Sequence, residues 1–174
     1  MHKGLSEWYS PVKPGTGLHP RPGSANVLQS YFPQIDSDWS SIWYPTQKGE
    51  TISQVHDRSD GFLTVFIPQL ENLKRHERIL LMSHAAPIIT FVRSLVGDRQ
   101  LPLRVGCCSL SELVQASSDS IIGGWKPIKL ADTAHLDKGP LREWGFDYVE
   151  IEAGEVYIYI IYSFWIFNSH WLSE

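Results

Sequence analysis

The stretch RILLMSHAAPIITFVRSLVG, residues 78–97, sets one histidine between an apolar run and an apolar helix pattern. Ile79–Met82 is unbroken in its hydrophobicity, which suits a central parallel strand. His84 stands just past its C-terminal end, the edge at which open α/β sheets bind ligands. Ala85 and Ala86 are small, and their N–H groups open the helix that follows. Free N–H groups and the helix dipole attract anions there. An imidazole donor beside them makes a phosphate pocket. The other reading is a histidine satisfied structurally at a strand end. Arg21, in HPRPGSA, either contacts such a phosphate or is a solvated loop charge.

Other chemistries find little support. His2, His19, His56, His76, His135 and His170 show neither HExxH nor any other ligand spacing, so no metal and no cofactor are expected. Ser83 and Ser109 lack the G-x-S-x-G of a nucleophile elbow. The adjacent Cys107 and Cys108 have no CxxC partner and read as small core residues in a reducing compartment. Glu50 and Arg58 fit a helix start with an internal ion pair. Trp8 either packs near Glu7 or fills the core.

These residues need elements to hold them. Residues 9–23 carry four prolines and three glycines and predict a long irregular loop. Ser24 is placed to cap a short helix over SANVLQSYF, ended by Pro33. Residues 34–48 read as an aromatic-rich loop, a lid or a packed Ω-loop. From Gly49, Ile52, Val55, Phe62, Phe66, Leu70 and Leu73 recur with helical spacing, and Pro68 predicts a kink or a division. Residues 78–83 predict a buried strand and 87–96 a helix with Pro87 in its first turn. Strands are predicted over 105–115, 124–130 and 145–151. The order of helices and strands suggests an α/β sheet with a parallel centre.

The chain has 174 residues, enough for one domain with a core. A net charge of −4 without a basic block argues against direct nucleic-acid binding. The N-terminus lacks the apolar core of a secretory signal. The apolar run over 156–167 has twelve residues, short of the roughly 20 that span a bilayer. No membrane association and an intracellular site, cytoplasmic or nuclear, are expected.

SHAAPIITFVRSLVG resembles the second-histidine motif of the histidine phosphatase superfamily, the phosphoglycerate-mutase-like proteins. GLSEWY (4–9) resembles that family's segment carrying the acid, GETISQVHDR (49–58) its long helix start, and VGCCSLSEL (105–113) the strand after the second histidine's helix. WKPIKLADTAHLDKG and REWGFD fit a fungal branch that includes the histidine-phosphatase-like subunit of the RNA polymerase III initiation factor; the T-cell ubiquitin-ligand phosphatases are also similar. The resemblance covers about residues 4–155. It implies an α/β, three-layer phosphoglycerate-mutase-like fold with a mainly parallel sheet. It also implies phosphomonoester hydrolysis through a phosphohistidine. In that chemistry a first histidine attacks phosphorus, arginines and the second histidine stabilise the oxygens, and a glutamic acid moves the proton. Carried over, Glu7 is the acid/base and His84 the phosphate-binding histidine. Ala85 N–H is then a phosphate donor, and the ligand is a phosphorylated small molecule or a phosphoprotein.

The R-H-G motif of the nucleophile occurs nowhere in the sequence, and His19 is followed by Pro-Arg-Pro-Gly. The expectation is a partial domain over 1–156, incomplete at its N-terminus, with exposed strand edges and no phosphatase activity. Residues 157–174 form an atypical apolar tail. It reads as a C-terminal strand, as a substitute for lost strands, or as translated intron sequence. Two functions remain open: an inactive phosphatase relative, or a non-catalytic scaffold with a protein partner. A small unrelated α/β binding domain is the third reading.

Overall fold

The computed structural model describes residues 2–38, 40–73, 78–117, 119–148 and 163–168; for 163–168 this means the backbone. The element order is α1 (Ala25–Gln29), α2 (Ile52–Leu73), β1 (Arg78–Ser83), α3 (Ala85–Val96), β2 (Val105–Cys107), β3 (Leu110–Gln115), β4 (Trp125–Asp132), β5 (Leu141–Trp144) and β6 (Ser163–Asn168). Single 3-10 turns lie at Lys3–Leu5 and Phe146–Tyr148.

Local chemistry accounts for most helix ends. Ser24 Oγ accepts from Val27 N at 3.3 Å, which caps α1 as its sequence suggests. Helix α1 is shorter than expected and stops before Pro33. Thr51 opens α2 with a reciprocal pair: its N–H donates to Gln54 Oε1 and its Oγ accepts from Gln54 N–H. That T-x-x-Q capping box satisfies two otherwise orphaned donors. Pro68 does not divide α2, which runs 22 residues with the proline inside. Helix α3 starts at Ala85 with His84 as its N-cap and stops at Gly97, whose N–H bonds to Arg93 O and Ser94 O.

The core sits between the two long helices and the sheet. Phe62, Leu63, Phe66 and Ile67 of α2 meet a helix, α3, whose residues 85–95 are all buried. Within this apolar contact, Ser59 Oγ and Thr90 Oγ1 bond at 2.6 Å and satisfy each other.

The sheet corrects the expected fold. It is neither mainly parallel nor the middle of three layers. The larger sheet has the order β1-β6-β3-β4, and a second sheet pairs β2 with β5. β1–β6, β3–β4 and β2–β5 are antiparallel, and only β3–β6 is parallel. β1 and β3, which flank β6, therefore run in opposite directions. Two local features shift the strand boundaries from those expected. The predicted strand over 105–115 breaks at Cys108, whose φ of 60° is incompatible with an extended ladder. β4 then returns beside β3 as a hairpin. The strand expected over 145–151 lies earlier, at Leu141–Trp144, because buried Phe146 turns the chain to pack on Trp8 and Trp144; 149–151 lie outside the described residues. Among the described residues, helices cover one face: on β1, Leu81 is buried while Leu80 and Met82 are 52% and 53% exposed. Of the atypical tail, 163–168 form β6, and the rest lies outside the described residues.

His2 gives this core a pH dependence. Its ring is held edge-on by Phe62 and Phe66, at 5.6 and 5.0 Å. Burial first, and the α-amino charge second, push its pKa from 6.5 to about 4. The unfolded chain therefore takes up a proton that the folded chain refuses. Stability falls as pH drops below 6.5 and levels off near 4, by at most about 3 kcal/mol. Buried His56, also lowered mainly by desolvation, acts in the same direction. Urea unfolding at pH 7 and pH 4.5 is expected to show this loss, and His2→Phe is expected to reduce it. An unchanged slope in His2→Phe would rule this source out.

Candidate functional site

Glu7 lies in a segment without regular structure, directly after the 3-10 turn at Lys3–Leu5. Its position is fixed from outside. Arg58 Nη1 donates to Gly4 O at 2.7 Å and Ser6 O at 3.0 Å, and Ser83 Oγ donates to Leu5 O at 2.7 Å. On the other side, Trp8 Nε1 donates to Glu50 O at 2.7 Å, and Glu50 N donates to Tyr9 O at 2.8 Å. Trp8 turns its ring to Trp144 and Phe146, so core packing accounts for it.

Held this way, Glu7 meets His84. Glu7 Oε2 lies 3.1 Å from His84 Nδ1. The two atoms are not aligned for a hydrogen bond, and Nδ1 has no hydrogen-bond partner among the described residues. Glu7 Oε1 accepts from Trp8 N at 2.8 Å, which fixes the carboxylate.

Both side chains line a cavity of about 130 Å³ with Lys3, Ser6, Tyr9, His19, Arg21, Gln47, Glu50 and three prolines. That space holds several ordered waters or one phosphoryl group. The structure thus brings Glu7, His84 and Arg21 to one place. Arg21 lies at its exposed side, its Nη2 donating to Pro45 O at 2.7 Å. Ala85 is buried behind His84 and does not line the cavity. Lys3 reaches over the Tyr44 ring, 5.3 Å from its centroid.

The walls come from pairing between two loops. Val12 N donates to Lys48 O and His19 N to Gln47 O, at 2.9 and 2.8 Å. His19 Nε2 sits 2.8 Å from Ser10 O, and its ring stacks on Tyr9 at 4.7 Å. The predicted Glu50–Arg58 pair is present and buried: Arg58 Nε reaches both Glu50 oxygens, at 2.9 and 3.0 Å. Lys3, Tyr9 and Gln47 carry no motif, and the sequence alone does not single them out. No group of three or more metal-binding side chains occurs among the described residues. Among the same residues, no helix is long and apolar enough to cross a membrane.

Chemically, the cavity offers a carboxylate against an imidazole, with Lys3 and Arg21 at its edge. Such a set has donors that could hold an anion and groups that could pass a proton. No family model matches the chain. The chain is similar to the transcription factor tau 55 kDa subunit of Saccharomyces cerevisiae, at 30% identity over 182 aligned residues. The match takes in 88% of this chain and 41% of that protein, so the chain spans about two fifths of its relative's length.

Proposed function

We propose that this chain is a non-catalytic interaction module of histidine-phosphatase lineage, working inside a nuclear transcription assembly. In this reading Glu7, His84 and Arg21 keep an anion pocket, with the Ala85 N–H behind His84, rather than a hydrolytic centre. Its ligand is a phosphorylated small molecule or a phosphoprotein. The observation that carries it is that no R-H-G motif occurs in the sequence, so the phosphohistidine route that the resemblance implies has no nucleophile among these residues.

The similarity to a transcription-factor subunit supports a protein partner over a free enzyme. It also favours the scaffold reading resembling the RNA polymerase III initiation-factor subunit over the phosphatase reading. Co-purification of the tagged chain from fungal nuclei tests this. A scaffold retains one stoichiometric transcription-factor partner in wild type and in Glu7→Ala alike. Loss of that partner on Glu7→Ala contradicts a pure scaffold and assigns docking to the pocket.

A further inference from the structure

The Glu50–Arg58 pair has the outward form of a structural ion pair, yet most of its contacts lead to the segment that carries Glu7. We infer that Arg58 is a positioning residue that sets Glu7 against His84. This rests on the reading of that pair as the core of an anion pocket. Glu7 sits on irregular backbone, so no helix or strand ladder fixes it. The guanidinium supplies the missing constraint. Nη1 holds the carbonyls on both sides of Leu5, while Nε is locked by both oxygens of Glu50.

The geometry links both halves of the pair. Leu5 O, between the two carbonyls held by Arg58, accepts from Ser83, the residue that precedes His84. Arg58 and Ser83 thus grip the same three-residue turn from opposite sides, one from α2 and one from the end of β1. Glu50, which orients Arg58, also takes Trp8 and Tyr9 through its own backbone. Glu7 is bracketed on both sides by groups tied to one guanidinium. A lysine has its three donors on one nitrogen and lacks the separate Nε and Nη1 positions from which Arg58 reaches Glu50 and the two carbonyls. The site uses Nε and Nη1, and Nη2 has no hydrogen-bond partner among the described residues.

The experiment reads the coupling between Glu7 and His84 in the whole chain by NMR of the His84 ring nitrogens. In wild type, Glu7→Gln is expected to shift those resonances, because it changes the group 3.1 Å from Nδ1. In Arg58→Lys the same Glu7→Gln change is expected to produce no shift. Arg93→Lys is the control: Arg93 is also buried, and its Nε bonds Leu101 O rather than the segment that carries Glu7. It is expected to lower Tm while leaving the coupling intact. Should Arg58→Lys not fold, Glu50→Gln, which removes the charge and turns one of the two acceptors of Arg58 Nε into a donor, is read in its place with the same expectation. Coupling retained in a folded Arg58→Lys or Glu50→Gln variant overturns the inference, and so does coupling lost equally in Arg93→Lys. Inorganic phosphate is added to wild type in parallel. If phosphate leaves His84 unmoved while Arg58→Lys abolishes the coupling, the anion-pocket reading fails and the positioning role stands.

Discussion

Glu50→Ala is expected to destabilise the fold by about 3–5 kcal/mol, the cost of leaving a buried charge without its partner. Arg58 is 2% exposed and Glu50 5%, so water cannot replace the lost carboxylate. Replacing a whole buried ion pair with apolar residues is often neutral. That compensation is limited here. A Glu50→Leu/Arg58→Met double variant also strips the donor from Gly4 O and Ser6 O, at about 1–3 kcal/mol for each carbonyl left buried. The double variant is therefore expected to recover only part of the loss. Urea unfolding of the three variants measures this. A Glu50→Ala loss below about 1 kcal/mol would place the pair among ordinary surface bridges and remove the buried strut from the account.

Gly49→Ala is expected to cost about 2–4 kcal/mol, from left-handed backbone and overpacking together. Gly49 has φ 82°, and an added Cβ would fall on Ser10 O. The clash is with backbone, so no side chain can swing away. It would part the loop bearing Tyr9 and Ser10 from the loop bearing Lys48 and Glu50, which are joined by Glu50 N to Tyr9 O and Val12 N to Lys48 O. Gly139 separates the two causes: its φ is 69°, with nothing within 4 Å of an added Cβ. Gly139→Ala is expected to cost only the backbone part, about 1–2 kcal/mol. Hydrogen exchange should report faster opening at Glu50 and Val12 in Gly49→Ala and unchanged rates there in Gly139→Ala. Equal costs for the two variants would contradict the close approach at the cavity wall.

The sequence was most legible where one local rule acts alone. Helical spacing marked α2, the Ser24 cap marked α1, and the ILLM-Ser-His-Ala junction marked where β1 gives way to α3. The sheet was not legible, because strand neighbours depend on contacts distant in sequence. No local signal says that 163–168 lies between β1 and β3, or that it reverses the direction between them. The break at Cys108 was hidden for a related reason: a cysteine at φ 60° carries no compositional mark. His84 and Arg21 were picked from the residues and Glu7 through the family resemblance, and the structure puts all three on one cavity. What joins them was not readable. Arg58 looks like half of an intrahelical-range pair, and its bonds to Gly4 and Ser6 exist only once α2 folds back on the N-terminal turn.

The most direct test of the central claim is steady-state turnover of p-nitrophenyl phosphate by the purified chain, beside His84→Ala. The account predicts no turnover above that of His84→Ala, since the imidazole and carboxylate meet in a chain that carries no R-H-G nucleophile motif. Turnover in wild type that disappears in His84→Ala would contradict it and make this cavity a hydrolytic centre.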